Sequence, residues 1–101
     1  MDRKDILDLL ERKSALVVLM DVKEHPGASK SDVQNRDKVT KRTKFVRIEE
    51  LVEAGLILEN RDPRKHATVK LYLSPEGQEI AEAISRIINS AASLPNVPIK
   101  G

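Results

Sequence analysis

The feature of this sequence that most constrains its fold is the spacing of its apolar residues. This spacing changes from helical to alternating and then back to helical. Over residues 45–52 the apolar residues follow the period of an amphipathic helix. Over residues 68–73 they alternate, which is typical of a half-buried strand. Helical spacing returns after Ser74. This pattern predicts one β-hairpin enclosed between helices.

Capping and turn residues set the expected ends of these elements. Thr40 can cap a helix that Gly55 ends, and Ser74-Pro75-Glu76 combines a cap, a proline at the first helical position and an acid in the first turn. The predicted fold class is mainly α with a small β-hairpin, in the order α-α-α-α-β-β-α. The expected helices span about 5–11, 14–24, 29–36, 40–54 and 74–92, and the expected strands begin at about 56 and 68.

The length of 101 residues allows one hydrophobic core. We expect one domain over residues 1–93 and a mobile tail over 94–101, which holds two prolines. The longest apolar run, residues 15–20, is far shorter than the roughly 20 residues that cross a bilayer, and the N-terminus lacks a signal-peptide core. A cytoplasmic protein that makes no contact with membranes is therefore expected.

The charges are unevenly distributed, although the net charge is only +2. Residues 28–47 hold seven basic and two acidic side chains, and residues 61–70 hold four basic and one acidic. Residues 48–60, by contrast, hold four acidic side chains and no basic one. Several cations on one surface attract a polyanion such as nucleic acid, although such clusters also occur simply as solvated faces.

Three segments together resemble a known family. They are ELVEAGLI at residues 50–57, NRDPR at 60–64 and LSPEG at 73–77. In this combination and spacing the chain resembles the MarR-type and related archaeal transcription regulators, which have a winged helix-turn-helix fold. The resemblance covers about residues 14–88 and implies that the helix at 40–54 enters the DNA major groove while the hairpin forms a basic wing.

The helical wheel and the resemblance together assign residues to the expected DNA interface. The candidates for reading bases are Arg42, Thr43, Val46 and Arg47. The neighbouring lysines and the start of the preceding helix are candidates for binding phosphate. The wing is expected to follow the DNA backbone or the minor groove. Phe45 is expected in the core. The predicted DNA-contacting residues are Ser29, Lys30, Lys38, Thr40, Lys41, Arg42, Thr43, Lys44, Val46, Arg47, Arg61, Arg64 and Lys65.

An isoleucine stripe on the last helix continues beyond the expected core. The simplest explanation is a twofold partner that covers Ile84, Ile87, Ile88 and Ala91, with help from residues 6–10. The alternative is that the last helix folds back on the first within one chain. A small effector is compatible with the family but is not indicated, because the terminal helices are too few and too short to predict a large pocket.

Two other functions remain open at this point. The domain could serve only protein contacts, since Glu49, Glu50 and Glu53 lie close to the reading face, or it could bind nucleic acid without sequence choice. An enzyme is not expected, because the sequence has no cysteine, only two histidines and no glycine-rich phosphate loop. No cofactor or metal is expected either.

Overall fold

The computed structural model of the chain describes residues 2–36, 40–61 and 69–92. Five helices and three short strands follow one another in the predicted order, with one addition. The elements are α1 (Arg3–Glu11), α2 (Ala15–Glu24), β1 (Ala28–Ser29), α3 (Lys30–Asn35), α4 (Lys41–Glu53), β2 (Ile57–Arg61), β3 (Val69–Leu73) and α5 (Pro75–Ala92).

The sheet has three antiparallel strands in the order β1-β3-β2. Strands β2 and β3 form the predicted hairpin, in a register that pairs Ile57 with Leu73 and Arg61 with Val69. The unpredicted β1 pairs Ala28 with Leu71 directly after Gly27, whose φ is +86°. Two residues are too few to show an alternating pattern, so this strand carries no sequence signal of its own.

The core lies where α2 and α4 meet the sheet. Side chains with no more than 1% exposure come from α2 (Val18, Leu19), from α4 (Ile48, Leu51) and from β3 (Leu71). Leu9 of α1 is also buried, so α1 packs on this core through one side of the helix. Burial of these side chains holds the helices at fixed positions around the sheet.

The junction between α4 and α5 is close-packed. Gly55 has φ +80°, which glycine adopts readily, and it ends α4 as predicted. The carbonyl of Leu56 accepts a hydrogen bond from the Ser74 amide at 3.1 Å. Ser74 Oγ in turn accepts from the Gly77 amide at 3.0 Å, which confirms the predicted cap. A Cβ atom on Gly77 would lie 2.1 Å from the Leu56 oxygen, so this contact requires glycine.

Helix α5 leaves this junction and packs against α2 and β3. Ala81 is buried, Ile80 packs against the core, and the helix continues for three turns beyond them. Across the described ranges, no helix has the length and apolar character that crossing a membrane requires. The predicted mobile tail lies outside the described residues.

Candidate nucleic-acid interface

The start of α4 is held by the predicted cap. Thr40 Oγ1 accepts a hydrogen bond from the Thr43 amide at 3.4 Å, and the two threonine hydroxyls lie 2.7 Å apart. Both residues were predicted to contact DNA. Their hydroxyls instead hydrogen-bond to each other at the helix start, and Thr43 is half-buried.

The inner face of α4 contains a lysine. Lys44, Ile48 and Leu51 are each 0% exposed, at the i, i+4 and i+7 positions of one helical stripe. Lys44 Nζ donates a hydrogen bond of 2.8 Å to the backbone carbonyl of Val33 in α3. The expectation that Lys44 lies exposed beside the phosphates is therefore wrong. Its stem fills an apolar position and its ammonium group reaches a carbonyl in the last turn of α3.

The expectation that Phe45 belongs to the core is wrong for the same reason. Phe45 is 46% exposed and Val46 is 40% exposed, because the helix is rotated about one position from the predicted orientation. Arg42, Phe45, Val46 and Glu49 are all exposed, and their i, i+3, i+4, i+7 spacing makes them one stripe. We call these four residues the outer face of α4. Lys41 is exposed next to this face.

Arg47 does not belong to the outer face, contrary to the prediction. Its Nε donates a hydrogen bond of 2.8 Å to the carbonyl of Lys13, in the connection between α1 and α2. Its Nη1 pairs with Glu50, which also pairs with Arg12. These contacts leave the Arg47 side chain 18% exposed, so the guanidinium ties α4 to the α1–α2 connection rather than facing outward.

Lys30, at the start of α3, joins two other elements. Its Nζ lies 2.8 Å from Glu49 Oε1 on the outer face of α4 and 2.8 Å from Glu59 Oε2 on β2. Burial disfavours the charged amine, but the hydrogen bonds and charges of the two carboxylates outweigh it, so the pKa of Lys30 is raised. Lys30 was predicted to bind phosphate; the structure engages its ammonium group with these two acids.

The Ser29 side chain is likewise engaged within the fold. Its Oγ accepts from the Asp32 amide at 3.1 Å, and the Asp32 carboxylate accepts from the Ser29 amide at 3.2 Å. This is a capping box, and it satisfies the backbone amides of Ser29 and Asp32 within the helix. Ser29 is the N-cap of α3, and the structure gives no support to its role as a phosphate ligand.

Strand β2 leads from Glu59 toward the predicted basic wing. Arg61 is exposed and is the last residue of the strand. Lys38, Arg64 and Lys65, the other predicted contacts in the connections, lie outside the described residues. Among the described residues that were predicted to contact DNA, those that lie exposed are Thr40, Lys41, Arg42, Val46 and Arg61.

The distal half of α5 presents the predicted apolar stripe. Ile87 is 63% exposed and Ile88 is 52% exposed, Ala91 is exposed, and Ile84 is half-buried. Because Ile87 and Ile88 remain exposed, α1 does not cover them in the single chain. Residues 6–10 contribute less than expected to this surface, since two of the three leucines in that range pack into the core of their own chain.

An open groove of about 610 Å³ runs between this stripe and α2. Leu16, Val17 and Met20 line its other wall. At one end Asp21 is 92% buried and its Oδ1 lies 2.7 Å from Arg36 Nε, an ionic contact in which Oδ1 accepts no aligned hydrogen bond. The groove is larger than the short terminal helices suggested.

No protein-family model and no curated protein sequence matches the chain. Among solved structures, Streptococcus pneumoniae FabT in complex with DNA is similar with a TM-score of 0.72 and 18% identity, over 85% of this chain and 64% of that chain. The transcriptional regulator SlyA is similar with a TM-score of 0.75 and 23% identity, over 88% of this chain and 63% of that chain. This chain thus spans less than two thirds of each of those two chains.

A third similar structure has a length closer to that of this chain. It is described as a possible HxlR family transcriptional factor from Thermoplasma volcanium, and it matches with a TM-score of 0.75 and 14% identity over 91% of this chain and 84% of that chain. Similarity at such identities shows a shared fold. The element order, the three-stranded sheet and these structural neighbours together show that the chain has the winged helix-turn-helix fold of MarR- and HxlR-type regulators.

Proposed function

We propose that this chain is a sequence-specific, double-stranded DNA-binding transcription regulator that lays α4 in the major groove. A helix fits that groove, where each base pair displays its own donors and acceptors. Arg42 reads a guanine on the outer face, while Lys41 beside it binds a backbone phosphate. The fold similarity to FabT, whose structure was solved in complex with DNA, supports this function.

The observation that carries the proposal is the position of Lys30 between the helix and the wing strand. Glu49 on the outer face of α4 and Glu59 on β2 both lie 2.8 Å from the same Lys30 Nζ. Alternate residues of a strand point to the same side, so Arg61 shares the side of Glu59. The reading helix and the wing strand therefore open onto one surface, as binding to a single duplex requires.

The contacts of Lys30 with Glu49 and Glu59 also affect how the acidic residues near α4 act on a nearby phosphate. Lys30 pairs with both Glu49 and Glu59 and offsets one of their two negative charges, and Glu50 pairs with Arg12 and Arg47. Carboxylates held in this way repel phosphate less than free ones would. For Glu49 and Glu50 this pairing weakens the argument for a module that serves only protein contacts, while Glu53 stays exposed. The roles of Lys38, Arg64 and Lys65 at the backbone and minor groove remain predictions from the sequence.

Selection of bound duplexes from a random pool, followed by fluorescence anisotropy at several salt concentrations, tests this function. Arg42→Ala is expected to cost about 1–3 kcal/mol of binding free energy and to relax the choice of base at one position. Lys41→Ala is expected to weaken all duplexes equally and to reduce the slope of log affinity against log salt by about 1.

Lys4→Ala is the matched control, because Lys4 is exposed on α1 and away from the proposed interface. It should leave both the slope and the choice of base unchanged. A salt-independent affinity in the unaltered protein would contradict DNA binding and favour protein contacts. Equal affinity for the selected and random duplexes would favour architectural binding without sequence choice.

We further propose that two copies pair through α5. Ile87, Ile88 and Ala91 would be buried by a twofold partner, and such pairing places two reading helices about one DNA turn apart. The apolar groove beside α2 provides the surface against which a second α5 can pack. The exposed apolar area of α5 supports this arrangement, because the free energy falls when large apolar side chains are buried away from water.

Sedimentation equilibrium tests the pairing. The unaltered protein is expected to be a dimer at tens of micromolar, and Ile88→Asp is expected to be a monomer because a buried carboxylate without a partner is strongly unfavourable. Asn89→Asp adds the same charge at the next exposed position and is the control. A monomer in the unaltered protein would contradict the proposal.

A further inference from the structure

Phe45 and Val46 form an apolar pair on the outer face of α4, next to the exposed Lys41 and Arg42. Both are large side chains with 46% and 40% exposure, and neither contributes to the buried core. They lie on the outer face of α4 three and four residues after Arg42, so all three side chains occupy the same stripe. Single exposed apolar residues are ordinary, but this pair lies where the proposed function puts the bases.

The major groove has one apolar feature that such a pair can recognise. Among the base edges exposed there, only thymine carries a methyl group, at C5. Cytosine has no methyl and presents an amino donor, with which a phenyl ring or an isopropyl group forms no hydrogen bond. An apolar pair next to Arg42 therefore favours thymine over cytosine.

Glu49, the remaining residue of the outer face, has an acceptor that suits the amino group of cytosine. Its carboxylate lies 2.8 Å from Lys30 Nζ, however, and Lys30 also contacts Glu59. This ion pair holds Glu49 toward the wing strand and leaves Arg42 and the apolar pair to face the bases.

Resting on the proposed function, we infer that Phe45 and Val46 read thymine methyl groups in the major groove, beside the base pair that Arg42 contacts. A selected site should accordingly contain thymine within about two base pairs of the guanine read by Arg42. Transfer of one methyl group out of water is worth about 0.8 kcal/mol, which corresponds to about a fourfold change in affinity.

Deoxyuridine tests this inference because it differs from thymidine only by the missing methyl group. In the selected duplex, each thymine of the site is replaced in turn, and affinity is measured by fluorescence anisotropy. The unaltered protein should lose about fourfold affinity at the thymine that Phe45 contacts. Phe45→Ala should bind the thymine and uracil duplexes equally at that position. Val46→Ala should remove the sensitivity at a neighbouring thymine.

Leu58→Ala is the matched control, since Leu58 is 49% exposed and lies on β2 rather than α4. Its sensitivity to uracil should equal that of the unaltered protein, whatever its absolute affinity. Uracil in the flanks of the duplex should leave the affinity of every variant unchanged. Circular dichroism should show that Phe45→Ala keeps its helical content, because the side chain lies outside the core.

The outcomes separate this inference from the function on which it rests. If no duplex is bound with sequence preference, both are overturned. If a selected duplex is bound but uracil has no effect, or if Phe45→Ala and Val46→Ala retain full sensitivity, only the methyl reading is overturned. A selected site without thymine beside the Arg42 position overturns it as well.

Discussion

The inner and outer faces of α4 each hold one residue that hydropathy would place on the other face. Lys44, a charged residue, is 0% exposed on the inner face, while the adjacent Phe45 is 46% exposed. The lysine is buried with a partner, the Val33 carbonyl at 2.8 Å. The phenyl ring has no place in the core, because Ile48 and Leu51 set the rotation of the helix.

This difference shows that the burial of a side chain in α4 depends on the other residues of its helical stripe and on the groups against which that stripe packs. A lysine has a long apolar stem and a terminal donor, so it can occupy a core position where a backbone carbonyl lies within reach. Its burial on the inner face is what brings Phe45 onto the outer face. The inner face should therefore govern stability, and the outer face should govern binding.

The largest expected effect is on the inner face. Lys44→Ala should lower the free energy of unfolding by about 2–4 kcal/mol, because it leaves a cavity and removes the donor to the Val33 carbonyl. Lys44→Met, which keeps most of the apolar stem, should lose less unfolding free energy than Lys44→Ala. Urea unfolding followed by circular dichroism measures both. Lys41→Ala on the exposed side is the control, and equal stability of the two alanine variants would contradict the comparison.

A smaller effect is expected where α4 meets the α1–α2 connection. Arg47→Ala should cost about 1–2 kcal/mol of unfolding free energy, because it removes the hydrogen bond to the Lys13 carbonyl and the pair with Glu50. Arg42→Ala, on the outer face, should stay within about 0.5 kcal/mol of the unaltered protein. The same denaturation experiment compares them. A larger loss of unfolding free energy for Arg42→Ala than for Arg47→Ala would place Arg47 rather than Arg42 on the outward side.

The smallest effect concerns the bridge between the outer face and the wing strand. The pKa of Lys30 is raised above its ordinary value of 10.5, so its stabilising contribution is complete below pH 10.5 and is lost as the pH rises through the higher value in the folded protein. Because the ammonium group is partly exposed, the loss should be below about 1 kcal/mol.

The difference in unfolding free energy between the unaltered protein and Lys30→Gln isolates this contribution from the other lysines. It should be constant between pH 8 and pH 9.5 and shrink at higher pH. Lys70→Gln, at an exposed lysine on β3, is the matched control for the removal of a lysine side chain. A constant difference for Lys30→Gln at every pH would contradict the bridge.

Local signals in the sequence predicted most of the backbone. Gly55 and Ser74 mark boundaries through conformations and caps that depend only on near neighbours in the chain. Thr40 does the same for α4, and all three act as predicted. The alternation in residues 69–73 likewise predicted β3. Only β1 was missed, since its pairing depends on β3, about 40 residues later in the sequence.

The candidate site was predicted less well, because its geometry depends on contacts between distant residues. Arg47 reaches a carbonyl 34 positions earlier in the chain, and Lys30 meets Glu49 19 positions later. Lysine is not counted as apolar, so the sequence favoured Phe45 over Lys44 for the core, although Lys44 has the spacing of the stripe with Ile48 and Leu51. Treating the lysine stem as apolar would have placed Phe45 and Glu49 outside.

The sequence by itself determined the order of the helices, the hairpin between them and the basic residues available for a polyanion. These properties follow from periodicity, caps and turn chemistry, which act over a few residues. Only the tertiary structure decided which side of α4 faces outward and which cations are already paired with acids. Those choices depend on the carbonyls and carboxylates that folding brings within hydrogen-bonding distance, and these lie far apart along the chain.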